Sequence, residues 1–347
     1  MILNHTQVDQ TIDRDERGSF TKELVIVRAQ SKGGPEVPLA MVRKRRANVI
    51  ETRAPVLLIH GYGQNRYAWH LPSRSFSNHL AQSGFDVFNL DLRGHGRSRH
   101  LGARRPNHIT DFVREDVPAA VDEVRRLSGN RPVFLVGHSL GGLIAYAAAG
   151  PLDGALAGVA TLGSPYLFTK GSWPLRVLGG AMLALDRRTS LGQGTVGLKG
   201  LGEAMRLARL FVDSPIFPLP IRGFARGSME PEVLEQHMSL AMDSGSIAVL
   251  RHMFLDAAEA RQNGHRLGGL YGYAGVFEAL DLPLLVIAGA VDDLAPPASV
   301  EPAFQLSRAR DKSYRVFPRG HIDLVMGRDS PTSIWPLLTA WLRARAT

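Results

Sequence analysis

The stretch PVFLVGHSLGGLIAYAAAG, residues 132–150, decides how the rest of the chain is read. Val133, Phe134, Leu135 and Val136 form a continuous apolar run, as expected of a strand buried on both faces of a parallel sheet. A second apolar run, Leu143 to Ala149, follows within a few residues and reads as a helix. Between them Ser139 sits in the pattern Gly-x-Ser-x-Gly, with Gly137 before it and Gly141 after it. A residue on such a sharp strand-to-helix bend is forced towards positive φ. Its neighbours two before and two after are pressed together as the chain reverses, and a Cβ on either would collide. The bend therefore predicts an exposed hydroxyl at the carboxyl edge of a parallel sheet, where ligands of such sheets bind.

A serine hydroxyl is a weak nucleophile; it needs a base, and the base needs an orienting carboxylate. The chain holds 12 histidines, of which His321 stands out by position. It follows the strand candidate ending in Tyr314-Arg315-Val316-Phe317, so its loop reaches the same sheet edge, and Gly320 leaves room for the ring. The carboxylate is sought after another strand, LPLLVIAG, in the following GAVDD; Asp292 is favoured by spacing, with Asp293 as the alternative. Asp323 is expected to serve its own loop. Two backbone donors must face a developing oxyanion: Leu140 at the start of the helix, where the dipole helps, and Tyr62 in the glycine-rich HGYG loop. Around them His60, Gly61 and Gly63 are read as structural, His60 bracing the loop by hydrogen bonding, and His138 as pointing away from the serine. His95 and His100 have no companion at metal-ligand spacing, so no metal and no cofactor are expected.

Strand and helix candidates alternate along most of the chain. Strands are expected at residues 23–29, 37–42, 56–59, 86–89, 132–137, 158–162, 282–289 and 314–317, and helices at 75–82, 111–127, after Ser139 and at 333–345. This rhythm predicts an α/β fold, a mostly parallel sheet of about eight strands covered by helices on both faces. It breaks between about residues 165 and 279, where no strand is clear and helices are expected at 175–185, 198–211, 231–241 and 247–260. The domain reading is a core of residues 1–165 and 281–347, with a helical cap inserted over 166–280.

Composition bounds these readings. With 44% hydrophobic and 21% charged residues, the chain has ample material for a core and is far from disordered compositions. The absence of cysteine excludes disulfides, thiolate nucleophiles and thiolate metal sites, and fits a cytoplasmic setting. The formal charge of +9 comes mostly from scattered arginines; the densest cluster, Arg43-Lys44-Arg45-Arg46, reads as solvated surface, and no nucleic-acid motif accompanies it. No apolar run approaches the ~20 residues a membrane helix needs, so peripheral contact is the one membrane role left open. Oligomeric state is not written in the sequence.

Taken together, HGYGQNR at 60–66, DLRGHGRS at 91–98, GHSLGG at 137–142, GAVDD at 289–293 and GHIDL at 320–324 resemble the α/β-hydrolase fold superfamily, in its order of nucleophile, acid and histidine. The combination is similar to the esterase, lipase and lysophospholipase branches. Residues 74–98 with GHIDL also resemble polyhydroxyalkanoate synthase-like members, although those carry cysteine at the elbow. Dehalogenases and soluble epoxide hydrolases carry aspartate there. The resemblance implies a serine hydrolase acting on a small carboxylic ester, and the apolar residues of the cap stretch, Leu201, Met205, Phe211 and Phe217 among them, suggest a lipophilic acyl or aryl group. Acyl transfer, thioester or amide hydrolysis, and ligand binding without catalysis are the alternatives.

Overall fold

A computed structural model describes residues 1–31, 34–186, 194–197, 223–263 and 271–346. The helix expected at 198–211 lies outside them, as do Leu201, Met205, Phe211 and Phe217. One nine-stranded sheet organises the chain, in the order β1-β2-β3-β5-β4-β6-β7-β10-β11. Its first part is an antiparallel meander of β1 (Ile2–Asp13), β2 (Glu16–Ala29) and β3 (Val37–Arg46), and β3 joins β5 antiparallel. The rest is parallel: β5 (Phe85–Asp91), β4 (Arg53–Ile59), β6 (Val133–His138), β7 (Leu156–Leu162), β10 (Leu284–Gly289) and β11 (Lys312–Phe317).

The apolar strands are continuous because both their faces are covered. Along β4, Leu57 and Ile59 enter one core and Val56 and Leu58 the other, all fully buried. Each such side chain contributes roughly 1.5–3 kcal/mol by burial. The first core is closed by α2 (Val117–Leu127), through Val117, Val121 and Val124, and by α3 (Leu140–Ala149). The second is closed by α1 (Phe76–Gln82) and α7 (Ile334–Arg343), through Leu80, Trp335 and Leu338.

Strand β1 is the strand the sequence reading did not anticipate. It is mostly exposed and polar, with Ile12 its one buried apolar residue, so it lacks the run that marks the central strands. Between β7 and β10 lie α4 (Trp173–Asp186), α5 (Ile247–Asn263) and α6 (Tyr271–Ala279). This stretch also holds a short antiparallel pair that was not expected, β8 (Thr195–Gly197) with β9 (Ser244–Ser246). Helix α6 packs on α3, with Phe277 against Tyr146 at 4.9 Å between ring centroids. No described helix is long and apolar enough to cross a membrane.

The basic cluster on β3 departs from its expected solvated position. Arg43 is buried, bound to Asp86 at 2.7 and 2.8 Å and to Glu23 at 3.1 Å. Lys44 is 2% exposed. Only Arg46 of the four is exposed. Alternation along a strand sends neighbouring cations to opposite faces, and both faces here are covered.

Candidate active site

The elbow residue Ser139 has φ 55° and ψ −124°, a strained conformation for a residue with a Cβ. Its flanking glycines have separate reasons. A Cβ on Gly137 would fall 2.5 Å from the carbonyl carbon of Gly141, the collision of chain against chain. A Cβ on Gly141 would instead strike the Ile59 and His60 carbonyls at the end of β4, the neighbouring strand. The elbow is thus built against β4, and Gly61 lies over it: a Cβ there would come 3.0 Å from that of Ser139.

The strand ends are laid side by side by a row of amides. Ser139 donates to the Leu162 carbonyl (3.0 Å), Gly163 to Ile287 (2.9 Å) and Ala290 to Phe317 (2.7 Å). Ser139, Asp292 and His321 therefore share one edge of the sheet. Asp292 is buried, its Oδ1 accepting from the Leu294 and Ala295 amides at 2.9 and 2.7 Å, its Oδ2 2.7 Å from His321 Nδ1. Burial works against a charged imidazole at His321, but the charge and hydrogen bond of Asp292, with Asp293 and Asp323 beyond, raise its pKa above the ordinary value. The Asp293 carboxylate turns elsewhere, to the Gly223 amide at 3.1 Å. Asp323 accepts from Gly320 (3.0 Å) and Ala225 (3.3 Å), serving its own loop. Gly320 packs against the backbone of Phe224 and Ala225, so its small size admits that neighbouring chain.

The two expected oxyanion donors belong to the elbow itself and to the loop whose Gly61 packs over it. Leu140 is the first residue of α3, where an amide has no acceptor within its helix. Tyr62 lies in the loop after β4, and its amide reaches no backbone acceptor among the described residues. The loop is fixed on three sides. His60 donates from Nδ1 to the Gly61 carbonyl (2.9 Å) and accepts at Nε2 from the Leu92 amide (3.1 Å); burial lowers its pKa and keeps it neutral. Gly63 takes φ 60° and its carbonyl accepts from Asp243 at 2.7 Å. The Tyr62 hydroxyl donates to the Ser246 carbonyl at 2.9 Å, its ring lying where a side chain on Gly245 would stand. The motif DLRGHGRS holds this region by structure: Asp91 accepts from the Arg66 and Arg97 amides at 2.8 and 2.9 Å, and Arg93 pairs with buried Asp116.

Three residues support the site: His138, expected only to point away from the serine, and Gly163 and Gln64, which the sequence reading did not single out. His138 turns onto the His321 backbone, with ring centroids 4.6 Å apart. Gly163, with φ 53°, backs the acid–histidine pair: a Cβ there would lie 3.1 Å from both Asp292 Oδ2 and His321 Nδ1. Gln64 Nε2 lies 3.3 Å from His237 Nε2, tying the loop to the segment that follows Gln236. The signal for Gly163 was present, as a glycine ending the strand next to the elbow strand. Among the described residues no three His, Asp or Glu side chains are grouped to hold a metal ion.

Several known proteins are similar to this chain. Over 98% of its length the chain is 23% identical to the poly(3-hydroxyalkanoate) polymerase subunit PhaC of Haloferax mediterranei, covering 70% of that protein. It is 27% identical to the pimeloyl-[acyl-carrier protein] methyl ester esterase of Sodalis glossinidius, over 73% of this chain and 81% of that one. Among solved structures, a thermophilic esterase from Thermogutta terrifontis superposes with a TM-score of 0.60 at 20% identity, covering 93% of this chain and 99% of that one. The model of the alpha/beta hydrolase fold matches residues 54–327, a span that includes Ser139, Asp292 and His321, and the chain belongs to that family.

Proposed function

We propose that this protein is a serine hydrolase of carboxylic esters, with Ser139 as nucleophile, His321 as base and Asp292 as the carboxylate that orients it. The observation that carries the reading is the 2.7 Å contact between His321 Nδ1 and Asp292 Oδ2 at the sheet edge that also bears the Ser139 elbow. In this reading Ser139 attacks the acyl carbon as His321 takes its proton. The Leu140 and Tyr62 amides stabilise the oxyanion, each worth roughly 10²–10³ in rate. His321 returns the proton to the leaving alcohol, and water releases the acyl group by the same steps in reverse order. Residues 166–280 act as a cap that offers apolar lining to a lipophilic acyl or aryl group. Its closing helix α6 doubles as cover for α3.

A second reading is acyl transfer to an acceptor other than water, favoured by a likeness to a polymerase subunit that spans 98% of this chain and 70% of that protein. The test is turnover of p-nitrophenyl esters from acetyl to palmitoyl by wild type and Ser139→Ala. Hydrolysis that falls about 10⁴-fold or more in the variant supports the assignment. Equal turnover by the two proteins removes it. Turnover that appears only when an alcohol or hydroxyacyl acceptor is added selects transfer.

A further inference from the structure

A cavity of about 610 Å³ opens on the face of the antiparallel meander away from Arg43 and Glu23, roofed by the segment Arg66 to Pro72. Five basic residues line it: Arg17, Lys22, Lys44, Arg66 and Arg97. Lys22 and Lys44 stand directly opposite each other on β2 and β3. Like charges at such a position destabilise a sheet. Nothing in the core requires this pairing, and local conflicts of this kind mark functional surface.

The negative charge nearby is too small to balance it. Asp91 takes Arg66, at 2.5 Å. Asp9 lines the wall, but its carboxylate accepts from Ser19. Lys44 has neutral partners throughout: Gln10 Oε1 at 2.6 Å, Asn78 Oδ1 at 2.7 Å and the His70 ring at 3.3 Å. Burial, then the charges of Lys22 and Arg66, hold its pKa well below the usual lysine range. Lys22 and Arg97 have no carboxylate within ion-pair distance among the described residues, and both are accessible from the cavity.

We propose that this cavity binds the phosphoryl or diphosphoryl group of a small phosphorylated molecule, with Lys22 and Arg97 donating to its oxygens and Arg66 behind them. These groups come from β2, the roof segment and the short helix Gly96–His100 after β5. They converge from several directions, which suits the three oxygens of a tetrahedral anion better than the two of a planar carboxylate. The volume lies in the range of small-molecule sites. This assignment is independent of the catalytic reading, since none of its residues belongs to that machinery.

The test is calorimetric titration of the full chain with inorganic pyrophosphate, orthophosphate and citrate at low ionic strength. It is repeated with Lys22→Met and Arg97→Gln and followed by thermal unfolding of each. Pyrophosphate is expected to bind wild type with Kd of about 1 mM or tighter, weakening as salt is added. Each variant should lose about tenfold or more in affinity. Without ligand, Lys22→Met should unfold at or above the wild-type temperature, since the opposed charges are relieved. Pyrophosphate should raise the unfolding temperature of wild type far more than that of this variant. No binding to wild type, unchanged binding in both variants, or tighter binding of citrate than of pyrophosphate would each overturn the proposal.

Discussion

His138 donates its Nε2–H to the carbonyl oxygen of His321 across 3.1 Å, so the residue before the elbow serine holds the backbone of the proposed base. Both residues are buried, and burial with the neighbouring His321 charge lowers the His138 pKa well below the ordinary value, leaving a neutral ring with a fixed tautomer. His138→Ala removes this donor and strands a buried carbonyl. A stability loss of about 1–3 kcal/mol is expected, with kcat falling more than KM changes. Denaturant unfolding and steady-state kinetics on one ester check both parts.

Asp292 and Asp293 are adjacent in sequence and separate in role. Asp292→Asn should lower kcat by about 10³–10⁴, because the amide no longer holds the proton-bearing Nδ1 of His321 in place. Asp293→Asn should leave kcat close to wild type, its carboxylate being spent on Gly223. In wild type, kcat/KM should rise with pH as His321 loses its proton, with a midpoint above the ordinary 6.5. Asp292→Asn should move that midpoint down. Comparable losses in the two variants would contradict the assignment of the acid.

Several buried histidines are held neutral and make the fold sensitive to acid. Burial is the largest cause for His79, His95 and His237, each lowered to about 4. Above pH 6.5 they bind no proton in either state and cost nothing. Between about 6.5 and 4 the unfolded chain takes up protons that the folded one refuses, so stability falls with pH. His321 has the opposite sign: its contribution is full below 6.5 and fades as pH rises through its raised value. Asp116 and Asp256, raised to about 6 by burial, and Asp323, also raised, act in the same direction as His321, but the three histidines together with His60, His70 and His138, likewise lowered by burial, outnumber them. Scanning calorimetry should show Tm falling steadily from pH 7 to pH 4.5 (a flat profile would contradict this).

Gly163→Ala should affect catalysis more than folding. Its added methyl meets Asp292 Oδ2 and His321 Nδ1 at 3.1 Å, and the positive φ adds strain. A displacement of the pair by a fraction of an ångström is expected to cost about 10–10² in kcat. The Tm loss should be no larger than that of alanine placed at another positive-φ glycine, such as Gly154, which meets no neighbouring atom. Parallel measurement of the two variants separates the causes.

The central strands, the elbow and the acid–histidine positions were legible because each leaves a local mark: an apolar run, a glycine spacing, a carboxylate or histidine just after a strand. Strand β1 left none, since one polar face in water and antiparallel pairing with β2 suffice to hold it. Helix α6 was hidden by its glycines, Gly272 and Gly275, although Phe277 anchors it on Tyr146. Lys44 was misread because a charge run carries no sign of which side chain turns inward. What buries it is the register of β3 between β2 and β5, a property of the assembled sheet. The Asp292–Asp293 choice rested on spacing, and the structure adds the partner each carboxylate faces.

The bond between His138 and His321 joins residues 183 positions apart, and the strands between them are themselves paired to distant partners. Contacts of such range form late, because the loop they close must first be ordered. A refolding chain will therefore recover helical signal well before it can cleave a substrate. Activity in this protein is a report that the last strand has docked.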